Sequence, residues 1–483
     1  MPPPTSQRRY NVQLDAQPET LPKTVHYAAI HWLNDDVLLA IFNFYRLDDE
    51  HRWNSRLLWC KLSHVHRRWR HLIYEFAFHL DMHIECTNGS PIVGTLDHLP
   101  PLPLFINYTP FTTMLTEQDE LGIYHALRLH GRVRRIELVL WRSVLQKVFM
   151  LMGEHFPILE HLSLSYATTI DNSLPLTLPK GFVAPNLRHL GLPGISPPRR
   201  LRVLTSTDSL VKLVLSNIQA SSYFRPRLLV ARLSSLPLLE ELVIGFSIPI
   251  PRPSTERELL GEGAPVILPG LKALRFKGVG AYLESLVAQI RVPLLERLEI
   301  TLFNQIAYEL PHLSSLINIT EAFKLPNAAV DFGRNEVYVT MVHDMHDSSE
   351  LGPLSISVIC EPFDWQIDCA VGICHALITA LSGVEDFMIG YPYGFQIPTA
   401  LENDEIDGTT WHELLRSFIG MKELYINEVL LEELSHALQV DEVGLDPGFL
   451  PNLWSIHAAN NLFTAFIDTR QALGRPVQFS RRW

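Results

Sequence analysis

The sequence predicts an α/β repeat fold, in which a short helical module is followed by a long series of strand-plus-helix units. Three observations predict it: a recurring six-residue apolar frame, a proline at a fixed offset before that frame, and amphipathic helix patterns between the frames. The chain has 483 residues and 47% apolar content, which is enough for a small domain and a long repeat array. We expect a disordered tail over 1–26, a helical domain over 27–86, a linker packed on the first repeats over 87–130, repeats over 131–470 and a C-terminal tail over 471–483.

The frame reads apolar-x-x-apolar-x-apolar, as in the six residues from Leu159 to Leu164. Up to Leu295, successive copies start 23 to 32 residues apart. This spacing is typical of a leucine-rich repeat, a unit of one strand and one helix per turn of a solenoid. Clear copies begin at Val133, Leu159, Leu187, Leu210, Leu239, Leu271, Leu295, Val384, Met421 and Leu453.

A gap of 89 residues separates the copies at Leu295 and Val384. It is about three repeat lengths, so two divergent copies are expected inside it. The best candidates carry their apolar residues at Asn327/Val330/Phe332 and at Pro353/Ile356/Val358.

A proline lies two residues before the first apolar position in six of the frames. Proline lacks the amide that a helix needs and biases the residue before it toward extended geometry, so it should end the incoming helix and start the strand. Segments such as Val144–His155 and Cys369–Leu381 carry apolar residues at helical spacing between frames. The alternative is an ordinary α/β domain with parallel strands, but the fixed proline offset favours repeats. The six prolines are Pro157, Pro185, Pro237, Pro269, Pro293 and Pro451.

Residues between the apolar positions of a frame alternate outward, onto the concave face of the expected solenoid. Such a face is a surface for a folded partner or a peptide, although each residue alone is also compatible with an ordinary solvated strand position. The residues that we predict to bind a target protein are His161, His189, Lys212, Glu241, Arg275, Lys277, Arg297, Glu299, Tyr425 and His457.

Composition narrows the class of partner. The net charge of −12 argues against nucleic acid as the main partner, because phosphate binding needs a basic field. The sequence contains no apolar run of membrane-spanning length, so no membrane partner is expected. Five scattered cysteines suit reduced thiols, which predicts a cytoplasmic or nuclear protein.

Two short clusters have residue types that bind metals or react chemically, and neither predicts a site. The stretch from His343 to Asp347 is polar and loop-like, without the framing helix of a metal site. Cys360, Cys369 and Cys374 are close in sequence, but the last two fall in an apolar helical pattern where cysteine acts as a small hydrophobe. We therefore expect no metal, no cofactor and no catalytic residue.

The N-terminal module reads as an extended entry and two helical patterns. Asn34 or Asp35 can cap the first helix, whose apolar positions run from Val37 to Tyr45, and a second pattern covers Leu57–Leu72. Helices of this size bury too little surface to be stable alone, so an exposed apolar face here would seek a partner.

Two stretches of this module resemble an F-box protein. The residues from Leu33 to Phe42 match the first part of the motif, with Asn34 where proline is usual. The residues from Val65 to Arg70 match the second part, with His66 where cysteine is common. The stretches Leu80–Gly89 and Leu99–Leu104 look like the large F-box-like families of mushroom-forming basidiomycete fungi.

The resemblance implies a non-catalytic substrate receptor of an SCF-type, cullin-based ubiquitin ligase. The F-box would dock on the Skp-type adaptor, and the repeats would hold an unknown target protein. The implied adaptor-binding residues are Leu33, Val37, Leu38, Ile41, Phe42, Leu62, Val65, Trp69 and Leu72.

Two other functions remain open at this point. One is a leucine-rich-repeat scaffold whose F-box-like helices only cap the solenoid, and the other is an enzyme of unknown type. The receptor and the scaffold differ in one observable, which is whether the apolar helix face at Ile41 and Phe42 is open or buried against the repeats.

Overall fold

The chain forms two compact units, Met1–Met82 and His83–Trp483. The computed structural model describes residues 32–47, 58–76, 83–89, 93–94, 96, 101–109, 115–167, 176–196, 204, 207–249, 264–344, 352–391, 408–438 and 449–481. The predicted tail over 1–26 lies outside these residues. The last three residues of the stretch from His343 to Asp347 also lie outside them.

The described residues of the first unit form three helices, α1 (Asp35–Leu47), α2 (Leu58–Val65) and α3 (Arg67–Glu75). Asn34 caps α1, because its side-chain oxygen accepts a hydrogen bond from the amide of Val37 at 2.9 Å. The pattern over 57–72 predicts one helix, but the structure has two. His66 separates them, since its backbone is extended and its imidazole accepts the amide of Arg68 at 3.2 Å, which caps α3.

The core of the first unit forms between α1 and α3. The rings of Phe42 and Trp69 meet edge to face at 5.1 Å, and Leu38, Leu72 and Ile73 are buried around them. The guanidinium of Arg68 donates to the carbonyl of Leu33 at 2.7 Å, which joins the start of α3 to the start of α1.

The second unit is built on one large sheet with helices, and this confirms the α/β class. Sixteen strands pair in the order β1-β2-β3-β4-β5-β6-β7-β9-β11-β14-β13-β12-β15-β16-β17-β18, and β8 and β10 form a separate pair. The strands are β1 (Ile84–Cys86), β2 (Leu104–Tyr108), β3 (Val133–Leu140), β4 (His161–Tyr166), β5 (His189–Gly191), β6 (Lys212–Ile218), β7 (Glu241–Phe246), β8 (Val266–Ile267), β9 (Ala273–Gly278), β10 (Ile290–Arg291), β11 (Arg297–Phe303), β12 (Asn327–Phe332), β13 (Glu336–Val342), β14 (Leu354–Ile359), β15 (Asp386–Gly390), β16 (Glu423–Ile426), β17 (Ser455–Ala458) and β18 (Gln478–Arg481).

Helices follow many of these strands, as the helical patterns predict. The predicted helix over Val144–His155 is observed as α5, and the one over Cys369–Leu381 is observed as α9 and α10. The helices of this unit are α4 (Glu117–Arg128), α5 (Arg142–Leu151), α6 (Pro226–Leu233), α7 (Gly280–Val287), α8 (Pro311–Ile319), α9 (Phe363–Ala376), α10 (Ile378–Leu381), α11 (Gly408–Arg416), α12 (Leu431–Leu438) and α13 (Thr464–Ala472). Within the described ranges, no helix has both the length and the apolar character needed to cross a bilayer.

Each of the six prolines lies in a turn just before a strand. In every case the carbonyl before the proline accepts a hydrogen bond from the amide three residues later, at 3.2 to 3.4 Å. Proline suits the second position of such a turn because its φ angle is already fixed. The prolines do not end the incoming helices, since α5 stops at Leu151, well before Pro157. They set the turn from which the strand leaves.

Over β4, β5 and β6 the side chains alternate between two faces of the sheet. On one face, side chains such as Leu162, Leu190 and Leu213 are fully or almost fully buried, and they occupy matching register positions on β4, β5 and β6. On the other face, His161, His189 and Lys212 occupy the adjacent register row and are half-buried. A period of two along each strand produces both faces.

The strands between β11 and β15 are not in sequence order. The two divergent copies are strands at the predicted places, β12 and β14, but β14 pairs with β11 and β12 pairs with β15. Strand β13 lies between them and is antiparallel to both. A simple series of parallel units was therefore the wrong prediction here, because the short connection from Phe332 to Glu336 favours an antiparallel hairpin.

Three predicted boundaries also need correction. The division after Met82 falls before the predicted end of the helical domain at 86, because β1 pairs with β2 in the sheet. The segment over 87–130 is not a linker, since it supplies β2 and α4. The segment over 471–483 is not only a tail, since it supplies β18, which pairs with β17.

A buried arginine supports the last part of the sheet. The guanidinium of Arg470 on α13 donates to the carbonyls of Phe449 and Leu450, each at 3.0 Å, and to that of Leu453 at 3.3 Å. These carbonyls lie in the segment that leads into β17. Burial lowers the pKa of Arg470, and the nearby charge of Arg475 lowers it further.

We predict that Arg470→Ala unfolds the β17–β18 end of the sheet first. The substitution leaves three buried carbonyls without this donor, at a cost of about 2 to 4 kcal/mol. Hydrogen exchange should rise in peptides covering residues 449–481, whereas Arg227→Ala at an exposed position on α6 should leave them unchanged. Equal protection in both variants would contradict this role of Arg470.

Candidate functional site

Helix α1 has two apolar faces. Leu38, Leu39 and Phe42 form the face that packs into the core of the first unit. Val37, Ile41 and Phe44 form a second face, which we call the apolar stripe, and they are 41%, 40% and 77% exposed. At about 100° per residue, positions i, i+4 and i+7 fall within about 60° of one another around a helix, so the three side chains line one side.

The nine predicted adaptor-binding residues therefore divide into two groups. Leu38, Phe42, Trp69 and Leu72 belong to the core of the unit. A second group remains accessible: Val37, Ile41 and Val65 are exposed, and Leu33 and Leu62 are half-buried.

Sequence reasoning missed two exposed aromatic residues in the same region. Phe44 belongs to the apolar stripe, and Trp32, which precedes α1, is 88% exposed. The signal for Phe44 was present in the spacing from Val37. The apolar pattern does not separate the two faces of α1, because most positions of this helix have an apolar residue next to them in sequence.

An ion pair keeps the start of α1 against α3. The Arg68 guanidinium approaches one carboxylate oxygen of Asp35, with its Nη2 at 2.5 Å and its Nε at 2.9 Å. Asp35 also lies in the first turn of α1, where a negative charge complements the helix dipole. The packing of α1 on α3 and this ion pair at the start of α1 together fix the orientation of the helix. They therefore also fix the side of the unit on which the apolar stripe lies.

The second candidate surface is the side of the sheet opposite the leucine-rich face, which we call the polar sheet face. Nine of the ten predicted target-binding residues lie on it as half-buried or exposed side chains. Four of them form ion pairs across neighbouring strands: Lys212 with Glu241 at 2.6 Å and Arg275 with Glu299 at 2.9 Å. On β3, Arg135 pairs with Glu137 at 2.8 Å on the same face.

Two histidines stand side by side on this face. The rings of His161 and His189 are 5.3 Å apart on the paired strands β4 and β5. Burial, together with the positive charge of Arg135, lowers the pKa of His161 to about 4. Burial and the charges of Arg188 and Lys212 also lower the pKa of His189. Both rings are therefore neutral at pH 7, in a region where positive charge prevails.

His457 differs from the prediction because it is only 7% exposed. The ring of Tyr425 stacks on it at 4.4 Å and with an interplanar angle of 9°. Its Nε2 lies 2.9 Å from Glu423 and 3.0 Å from the hydroxyl of Ser455. Tyr425 itself donates to Glu423 at 2.6 Å, so His457 supports the residues that are available to a partner rather than meeting a partner directly.

The Ser455, His457 and Glu423 side chains do not form a catalytic relay. In such a relay the serine and the acid bond to different ring nitrogens, so that the histidine can pass a proton between them. Here both approach Nε2, and Ser455 is only 3% exposed.

Cys369 on α9 accepts a hydrogen bond from the hydroxyl of Tyr308 at 3.1 Å. Hydrogen bonding with Cys360 lowers the pKa of Cys369. Cys360, Cys369 and Cys374 are buried, and burial raises the pKa of Cys374. Among the described residues, no group of three or more His, Cys, Asp or Glu side chains is placed to hold a metal ion.

Neither the family models nor the curated proteins compared with this chain produced a match. The two surfaces are therefore interpreted from their own geometry and chemistry. One surface is apolar and helical, and the other is polar and mixed in charge.

We predict a large loss of stability for a substitution on the buried face of α1 and almost none for a substitution on its exposed face. Phe42→Ala removes a buried ring that packs on Trp69 and should destabilise the first unit by about 3 kcal/mol or more. Ile41→Ser changes an exposed side chain and should alter stability by less than about 0.5 kcal/mol. Hydrogen exchange of peptides from α1 and α3 measures both effects, and equal deprotection would show that Ile41 belongs to the core.

We also predict that Asp331→Asn stabilises the sheet in a pH-dependent manner. Asp331 lies on β12, and burial raises the pKa of its carboxyl to about 6. Because the folded pKa lies above the unfolded value, the parent loses stability as pH rises from about 4 to 6.5. The amide avoids that loss, so the gain should be near zero at pH 4 and about 1 to 2 kcal/mol at pH 7.5.

Calorimetric melting temperatures at pH 4, 5, 6 and 7.5, each compared with the parent at the same pH, measure this difference. Asp208→Asn at an exposed position is the matched control. A gain that is the same at every pH would contradict the assignment of the effect to the Asp331 charge.

Proposed function

We propose that this protein is a substrate-recruiting receptor of an SCF-type ubiquitin ligase. In this proposal the first unit is an F-box-like module that docks on a Skp-type adaptor, and the second unit is a leucine-rich-repeat array that holds a target protein. The observation that carries the proposal is the apolar stripe of Val37, Ile41 and Phe44, which stands exposed on a helix already committed to a core on its other side.

The exposed stripe supports docking because it serves no purpose in the fold of the unit. An amphipathic helix that packs on one face ordinarily presents polar residues on the other. Here Phe44, at 77% exposure, is among the most accessible large apolar side chains of α1. Val65, at the end of α2, adds another exposed apolar group, 61% exposed. Exposed apolar side chains on a small unit are typical of a protein-binding site.

The scaffold alternative differs from the receptor in whether the apolar helix face at Ile41 and Phe42 is covered by the repeats or open to a partner. Phe42 does not discriminate between them, because it is buried by the core of the first unit itself. Binding of the adaptor through Ile41 and the rest of the apolar stripe is the test that separates the two functions.

The polar sheet face supports target binding because it offers half-buried polar side chains on successive strands. Side chains held in register on a rigid sheet are preorganised, which lowers the entropic cost of binding. The mechanism would be proximity: the target is held near a ubiquitin-loaded enzyme, whose effective concentration rises, and the bond-forming chemistry belongs to other subunits. This role places the protein in the cytosol or nucleus.

We predict that the double variant Ile41→Ser, Phe44→Ser loses binding to a purified Skp-type adaptor while remaining folded. Two central apolar side chains each contribute about 1 to 2 kcal/mol in such interfaces, so the affinity should fall at least about tenfold. The measurement is biolayer interferometry with full-length chain, with hydrogen exchange of α1 and α3 as the test of folding.

The matched control is the double variant Leu294→Ser, Ile319→Ser, which removes exposed apolar groups from the second unit. It should bind the adaptor like the parent. Phe42 is unsuitable for this experiment, because its loss would unfold the unit. A folded parent that does not bind the adaptor would overturn the receptor function and leave the scaffold.

A further inference from the structure

Charge is segregated along the polar sheet face. Over β3–β11, the residues in the outward register rows include five cations and three carboxylates, a net charge of +2. Over β12–β18, the same rows include four carboxylates and neither lysine nor arginine, a net charge of −4. The cations are Arg135, Lys212, Arg275, Lys277 and Arg297, with Glu137, Glu241 and Glu299 among them; the later carboxylates are Asp331, Glu336, Asp386 and Glu423.

Two carboxyl groups of the acidic part, Asp331 and Asp386, have raised pKa values. Burial, and then the charges of Glu423 and Glu385, raise the pKa of Asp386. Burial alone raises the pKa of Asp331 to about 6, and Asp331 is in register with Tyr338 on the neighbouring strand. Burial and the adjacent Glu336 raise the pKa of Tyr338. A positive charge nearby would favour the ionised form of the Asp331 and Asp386 carboxyls.

A Glu-x-Tyr pattern occurs twice in the acidic part. Tyr338 donates its hydroxyl hydrogen to Glu336 on β13, and Tyr425 does the same to Glu423 on β16. In both places a half-buried aromatic ring lies beside a carboxylate on the outward side of the sheet. A carboxylate next to an aromatic ring suits lysine and arginine head groups, which pair with the one and lie over the other.

The other part of the face has the opposite character. The rings of His161 and His189 are neutral. The cations near them are Arg135, Arg188 and Lys212, and the carboxylates near them are Glu137 and Glu241. Positive charge prevails, because it adds to burial in lowering the pKa of both rings. The next outward pair along these two strands is Ser163 and Gly191.

We propose that the polar sheet face binds a charge-polarised protein segment, with its basic part over β12–β16 and its acidic part over β3–β11, where the outward rows carry the net positive charge. This inference rests on the proposed function, since it specifies the target that the receptor would hold. Eight strand spacings separate Lys212 and Glu423 in the sheet order, about 38 Å at about 4.8 Å each. An extended segment of about a dozen residues covers that span.

The test uses synthetic peptides and the full chain. The probe has a four-lysine block and a four-glutamate block, joined by a Gly/Ser spacer of about twelve residues that reaches about 40 Å when extended. The reference peptide has the same composition with lysine and glutamate alternating. We expect the polarised peptide to bind at least about fivefold tighter by fluorescence anisotropy at about 50 mM salt, and to lose this advantage at about 500 mM salt.

Substitutions locate the two ends. Asp331→Asn with Asp386→Asn should weaken the polarised peptide about fivefold without lowering the melting temperature, because both changes relieve unfavourable charge. Asp364→Asn with Asp368→Asn on α9 removes the same charge from exposed helix positions and should change nothing. Arg135→Gln with Lys212→Gln should weaken a peptide that carries the glutamate block alone.

Equal binding of the polarised and alternating peptides, no binding of either, or full affinity in the Asp331→Asn, Asp386→Asn variant would overturn the proposal. The adaptor is absent from this assay. A chain that binds the polarised peptide but not the adaptor therefore retains this inference and loses the receptor function, whereas the reverse result retains the receptor and removes only the charge-polarised target.

Discussion

The register in which each strand pairs with its neighbours is the constraint on which the second unit depends. Because side chains alternate along a strand, a shift by one residue would exchange the leucine-rich face with the polar face. Leu162, Leu190 and Leu213 are each buried at matching positions, so any one strand out of register would place a leucine in water and a charged residue against the helices. The register thus decides both stability and what the sheet presents outward.

The first unit obeys a different constraint. Both sides of α1 are apolar, and one of them is exposed. The other side must therefore be packed firmly enough to keep α1 in place. The ring contact between Phe42 and Trp69 secures one side, and the Arg68–Asp35 ion pair holds the end. Neither interaction involves Val37, Ile41 or Phe44, which leaves those side chains free to vary in their contacts without loss of the core.

Much of the second unit could be predicted from sequence because its signals are local. The frame from Leu159 to Leu164 specifies a strand by its own spacing, and Pro157 marks the turn before it. The order of β12, β13 and β14 could not be predicted, because it depends on which distant strand each one pairs with. The strand in β18 was missed because Gln478–Arg481 has little apolar content and is held mainly by backbone pairing with β17.

The candidate surfaces were predictable in position but not in detail. Outward residues such as Lys212 and Arg275 follow from the alternation along each strand. The burial of His457 does not, since it requires the ring of Tyr425 from a strand that is 32 residues earlier in the sequence. Similarly, apolar content alone could not separate Ile41 from Phe42, because only the packing of α3 decides which side of α1 is covered.

The displaced strand β14 has a consequence for how the chain can fold. Strand β11 cannot acquire its second neighbour until the chain has continued through β12 and β13 and returned. The segment from Arg297 to Gly390 must therefore close as one cooperative block, whereas strands β3 to β7 each pair with the strand that precedes them and can add one at a time. Long-range closure of this kind is slow compared with pairing between successive strands. A ribosome-bound chain that ends within this block would expose the unpaired edge of β11, so this stretch is where newly made protein is most dependent on protection from aggregation.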